Sequence, residues 1–199
     1  MKWDADFPDF PDRVHQENLR PILKTGAQVD IKFHETIQIN RPVAQVYAYL
    51  ADFSRHVEWA QTVAQMEQVK TGDSSGVGAQ YRTQEKQAMQ HDRKPRQKLT
   101  KGLPAVTLCT VDELSPNRRI RWHAHSVPKM LHNKLEFSLA SDGNGGTKLT
   151  QLMDFHIPAV PTFLFRLLFG GDLQAKATQQ GVAGLENIKL ILEGNGRSA

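Results

Sequence analysis

One cysteine, Cys109, occurs in 199 residues, which excludes an internal disulfide framework and a zinc site built from several thiolates. Its place in an alternating strand pattern marks it as a buried thiol rather than a nucleophile. Long apolar runs are also missing. The longest candidate, Pro161 to Phe169, has nine residues, against about 20 needed to cross a bilayer. The first residues, Met1-Lys-Trp-Asp-Ala-Asp-Phe-Pro, lack the basic start and apolar run of a secretion signal, so a cytoplasmic location is expected. No Ser-His-Asp order, phosphate loop, dinucleotide fingerprint or zinc motif is present, and no cofactor is expected. Charge of one sign is not dominant either: 25 Lys and Arg stand against 21 Asp and Glu, a net +4. The basic excess is concentrated in His91 to Lys101 and in Arg118, Arg119 and Arg121. A broad basic face with interleaved aromatics is lacking, so nucleic acid is not an expected partner.

Among the features that are present, the C-terminal region stands out. From Asp172 to Glu193, small or apolar residues recur at Ala177, Gly181, Gly184, Ile188 and Ile191, flanked by Leu185 and Leu192. This spacing lines one face of a long helix. Each interior Gly costs about 1 kcal/mol against Ala, so removal of side-chain volume, not helix propensity, selects them. Two readings are open: the helix packs unusually close to a sheet, or the missing volume belongs to a ligand cavity. Ahead of it, Pro161 to Phe169 is apolar almost all round and ends at Gly170-Gly171, a second helical piece joined by a hinge. Core, lid and membrane-surface contact are its three readings.

Residues 1–29 carry prolines, aromatics and acids without sustained period and are read as an N-terminal extension to a domain over 30–199. Strict alternation begins at Asp30, with Ile31, Phe33, Glu35, Ile37 and Ile39 on one face. Asn40 can cap a helix over Val43 to Leu50, and a short second helix runs to Trp59. Further strands are expected near Thr62 to Lys70, Gly78 to Met89, Val106 to Leu114, Arg118 to Ser126, Leu131 to Ala140 and Thr147 to Ile157, with turns at Gly72 to Gly78, Ser115 to Asn117 and Asp142 to Gly146. The basic segment Gln90 to Gly102 is read as a long loop or extended ribbon. Sequential antiparallel strands joined this way form a meander.

The succession of a strand, Ile39-Asn-Arg-Pro42, a helix reading Val43-x-x-Val46-Tyr-Ala-Tyr-Leu-Ala-Asp-Phe53, and Trp59 resembles the opening of the START-like, Bet v 1-like or polyketide cyclase/dehydrase-like superfamily (SRPBCC). The resemblance covers about Asp30 to Glu193. It implies an α+β helix-grip fold, a curved antiparallel sheet of about seven strands around a long C-terminal helix, with two short helices between the first two strands. It is nearly silent on function, because that superfamily includes carriers, cyclases and hydratases.

The residues that such a grip would place inside are Phe33, Glu35, Trp59, Tyr81, Thr83, Trp122, Phe137, Gln151, Met153 and Phe155, with Ala177, Gly181 and Gly184 from the helix. A mostly apolar cavity with a few convergent polar groups is the usual form of a small-molecule site. The expected function is binding or transport of an apolar molecule, such as a lipid, isoprenoid or polyketide-like ring. The alternative is a cyclase or hydratase using Glu35 and Tyr81 as acid and base. His123 and His125 share a strand face, but Ile120, Trp122 and Ala124 form the apolar set, so both histidines should point outward and no metal site is expected.

Overall fold

The computed structural model describes residues 29–86, 106–127, 132–157 and 173–194. Seven antiparallel strands form one sheet: β1 (Val29–Ile39), β2 (Val63–Lys70), β3 (Gln80–Glu85), β4 (Val106–Ser115), β5 (Arg119–Val127), β6 (His132–Ser141) and β7 (Thr147–Ile157). Their spatial order is β1-β7-β6-β5-β4-β3-β2, so β2 to β7 form a meander and β1 closes beside the last strand. Between β1 and β2 lie α1 (Val43–Ala51), a 3-10 turn (Phe53–Arg55) and α2 (His56–Trp59), and the chain ends in α3 (Leu173–Gly194). This is the helix-grip architecture. Apart from Val29, which belongs to β1, the expected extension, the basic segment and the Pro161 to Phe169 piece lie outside the described residues.

Alternation sets the faces. Residues directly opposite in an antiparallel ladder share a face, and the register gives an inward row of Glu35, Gln151, Phe137, Ile120 and Leu114. The next inward row is Phe33, Met153, Leu135, Trp122 and Val111, followed by Ile31, Phe155, Asn133, Ala124, Cys109 and Tyr81. A bulge between Val111 and Glu113 resets the alternation of β4 and adds local bend and twist. Outward positions carry the charges: Arg119 pairs with Glu136 at 3.2 Å, and Arg121 with Glu113. Arg119 and Arg121 are thus matched across strands by carboxylates. The histidines face outward as the pattern requires, with His123 Nδ1 2.7 Å from Asp112 Oδ1. Among the described residues, no group of three or more His, Cys, Asp or Glu could hold a metal ion.

One cap differs from expectation. The residue preceding α1 is Pro42, and no side-chain hydrogen bond caps it; the Asn40 backbone N–H instead donates to Glu193 Oε1 at 2.6 Å. The entry to α1 is thereby tied to the last turn of α3. Further along, Gln174 Nε2 donates to the Lys32 carbonyl at 2.6 Å and Lys189 Nζ to the Gln38 carbonyl at 2.9 Å. From Gln174 to Glu193 a helix rises about 28 Å, and from Lys32 to Asn40 a strand spans about 26 Å. Helix α3 therefore runs along β1, and its side chains occupy carbonyls of a strand that ends the sheet, one way of protecting an edge.

The helix approaches β1 closely where Gly181 faces the Phe33 ring. A Cβ at Gly181 would lie 2.5 Å from Phe33 Cζ, whereas one at Gly184 would meet the Trp59 ring at an ordinary 3.6 Å. The small-residue stripe thus serves close packing at Gly181, and at Gly184 it sits against an aromatic ring. The two glycines should respond oppositely to alanine in denaturant unfolding. Gly181→Ala overpacks the contact and should cost about 1–3 kcal/mol, while Gly184→Ala should be neutral or stabilise by up to about 1 kcal/mol through helix propensity.

Candidate functional site

The concave face is organised by a column of rings from the short helical segment. Phe53, His56 and Trp59 are three residues apart, and in a 3-10 turn running into one turn of α-helix side chains at that spacing share a face. The Phe53 and His56 rings stack at 4.8 Å between centroids, and His56 and Trp59 lie 4.7 Å apart. The sheet continues the column: Tyr81 stacks on Phe53 at 5.0 Å, Trp122 meets His56 edge-on at 5.4 Å, and Phe137 lies 5.6 Å from Trp59 and 5.5 Å from Trp122. Helix α3 locks the end of the column, since Asn187 Nδ2 donates to the Trp59 carbonyl at 3.1 Å.

Packing is uneven across the inward rows. Leu149, Leu139, Phe137, Ile120, Trp122 and Val111 are buried. Leu135, Met153, Asn133 and Phe155, a contiguous patch on β6 and β7, are only half-buried although they face inward. Phe33 and Gly181 border this patch on the β1 side, Trp122 on the β5 side, and Gln151 precedes Met153 on the same face.

Several polar atoms in this interior have no hydrogen-bond partner: both ring nitrogens of His56, Trp59 Nε1, Gln151 Oε1 and Asn133 Oδ1. His56, Trp59 and Gln151 are only 5%, 5% and 3% exposed. Buried polar groups are nearly always paired, and an orphan costs about 1–3 kcal/mol. The Phe53 carbonyl accepts the His56 backbone N–H and lies near the imidazole without reaching hydrogen-bond geometry with it. Burial depresses the imidazole to about 4, an effect that the Phe53 carbonyl and Asp52 only partly offset, so His56 is neutral at physiological pH.

The residues expected from sequence fall into groups. Trp59, Trp122, Phe137 and Gln151 are buried in and beside the ring column, and Met153 and Phe155 lie in the half-buried patch. Phe33 and Gly181 are engaged with each other. The Thr83 hydroxyl donates to the Thr107 carbonyl at 3.3 Å, which satisfies it within the sheet. Ala177 is half-buried on α3, and Gly184 is buried against Trp59. Glu35 is half-buried on β1, an end strand. Tyr81 is on β3, with β7, β6, β5 and β4 between them, about 24 Å along the sheet at the usual strand spacing. Burial, with Asp52 nearby, raises the Tyr81 pKa. Phe53, His56 and Asn133 did not come out of the sequence reading. The three-residue spacing of Phe53, His56 and Trp59 was the available signal for the first two.

Comparison with known proteins agrees with this geometry. A family model described as "Polyketide cyclase / dehydrase and lipid transport" matches residues 30–192. No curated protein sequence matches. Among solved structures, the Zhui aromatase/cyclase from Streptomyces sp. R1128 is similar with a TM-score of 0.60 at 17% identity, over 85% of this chain and 97% of that one. Ara h 8.0201 gives 0.57 at 14% identity, over 83% and 99%. A START superfamily protein from Mycobacterium smegmatis gives 0.56 at 13%, over 81% and 98%. At these identities the likeness is one of fold.

The pH dependence of stability should expose His56. Its folded pKa is lowered below the ordinary value of 6.5, so the unfolded chain binds the extra proton first. The stabilisation is full above about pH 6.5 and is lost as pH falls from there toward about 4. In urea unfolding, His56→Phe should flatten the slope across that interval; an unchanged slope would show that His56 is not the group responsible.

Proposed function

Because the chain belongs to the polyketide cyclase / dehydrase and lipid transport family, we propose that it binds an apolar small molecule between the concave face of the sheet and α3. The observation that carries this is the half-buried inward patch of Leu135, Met153, Asn133 and Phe155 beside the buried rings of Phe53, His56, Trp59, Trp122 and Phe137. Inward apolar side chains left accessible in an otherwise close-packed interior are groups that a ligand can cover. Orphaned polar atoms around the same face supply a few fixed points of recognition.

Binding without chemistry fits better than a cyclase or hydratase. The nominated acid and base, Glu35 and Tyr81, stand on strands five places apart, whereas general acid–base catalysis needs both within hydrogen-bond reach of one substrate. The raised pKa of Tyr81 also moves it away from proton exchange at neutral pH.

Native mass spectrometry of the purified protein should show mass above that of the chain, removed by organic extraction. The extracted protein should then take up methylnaphthalene. Met153→Trp, which fills the patch, should weaken that uptake by about tenfold while circular dichroism stays unchanged. Extracted protein that retains its fold and takes up no methylnaphthalene would overturn the proposal.

A further inference from the structure

The unpaired atoms of the interior have a definite chemistry. Trp59 Nε1 is a donor only, Gln151 Oε1 an acceptor only, and neutral His56 offers one of each. They share one aromatic cluster. The Trp59 ring touches both His56 and Phe137, and Gln151 is the cross-strand neighbour of Phe137. All three side chains are enclosed to nine-tenths or more.

What the inward face lacks in charge is equally informative. At the inward positions of the described strands there is no Lys or Arg, and the carboxylate of Glu35 stands directly opposite Gln151. Among the described strands, an anionic group buried here would find no counter-charge and would face the Glu35 carboxylate, an arrangement that low-polarity interiors strongly disfavour. A hydroxyl donates and accepts and a carbonyl accepts, so either can engage these groups without bringing charge inside.

We infer that His56, Trp59 and Gln151 form the polar recognition point of the interior site, and that its ligand is an uncharged ring compound bearing a hydroxyl or carbonyl group, not a carboxylate. The inference rests on the binding function proposed above and adds the ligand's chemical class and the residues that select it. It also explains why rings line the site, since stacked and edge-on aromatic surfaces favour a planar guest.

Three probes of nearly equal shape separate the terms: methylnaphthalene, naphthol and naphthoate with the same ring position substituted, titrated calorimetrically at neutral pH. Naphthol should bind about tenfold tighter than methylnaphthalene, the gain of roughly one satisfied buried hydrogen bond, and naphthoate weaker than either. His56→Phe and Gln151→Leu should each bring naphthol affinity close to that of methylnaphthalene in the same variant, removing most of the naphthol advantage. In the unsubstituted protein, the Trp59 indole N–H resonance, assigned by its through-space contacts with the neighbouring His56 and Phe137 rings, should move downfield with naphthol and not with methylnaphthalene. This readout holds even if a variant fails to fold. Equal binding of naphthol and methylnaphthalene with no indole shift overturns the inference and leaves the binding function standing. Naphthoate binding tightest overturns the exclusion of anions. Failure of all three to bind removes the binding function and the inference together.

Discussion

The contact of the Phe33 ring with Gly181 governs much of the interior. Phe33 sits on β1 at one end of the sheet, and the missing Cβ lets α3 settle onto it. Three hydrogen bonds along the same strand, from Gln174, Lys189 and the Asn40 backbone to Glu193, hold the helix parallel to β1 for nearly its whole length. A helix held close at one side of a curved sheet cannot also lie close to strands farther across it. The interval over β6 and β7 must be filled by something else. Over Phe137 and Trp122 it is filled by the ring column of Phe53, His56 and Trp59. Over Leu135 and Phe155 the inward side chains remain half-buried.

That division explains the odd composition of the column. A core of Leu and Ile would fill the same volume with no polar atom to satisfy, yet His56 and Trp59 occupy the space with nitrogens that find no protein partner. The free-energy cost of such groups is tolerated where function uses them. Stacking between Phe53 and Trp59 holds the imidazole in place, so its nitrogens are fixed before any guest arrives. Preorganisation of this kind reduces the ordering cost of binding.

How far the sequence disclosed this depends on how many residues carried each signal. The strand faces were legible because alternation is long: eleven residues in β1 and eleven in β7 make the inward set unmistakable. The cross-strand neighbours of Gln151 were not legible, since register depends on partner strands. The glycine stripe was readable as volume removed but not as volume used; only the Phe33 register shows that Gly181 serves a contact. Asn40 looked like a helix cap because its type favours that role, but Pro42 holds the cap position with no side-chain bond, and the Asn40 backbone N–H donates to a tertiary partner, Glu193. His56 escaped because α2 has four residues, so its signal was no more than the three-residue spacing from Phe53 to Trp59. Glu35 and Tyr81 each faced inward as alternation required, but strand order, which alternation does not encode, determines their separation.

The same strand order bears on what this fold can do chemically. In a meander with β1 beside β7, inward residues from β1 and β3 lie on opposite flanks, so reactive pairs are more readily assembled from α2 and the central strands. Here those positions hold His56, Trp122, Phe137 and Gln151. His56 is enclosed by rings, and its depressed pKa follows from burial. A general base at physiological pH works best with a pKa near 7, and a ring held near 4 is a weak base. The same ring is a good hydrogen-bonding group, because it keeps one donor and one acceptor at every pH in the neutral range. Enclosure that weakens His56 as a general base therefore leaves it suited to hydrogen-bond an uncharged polar group.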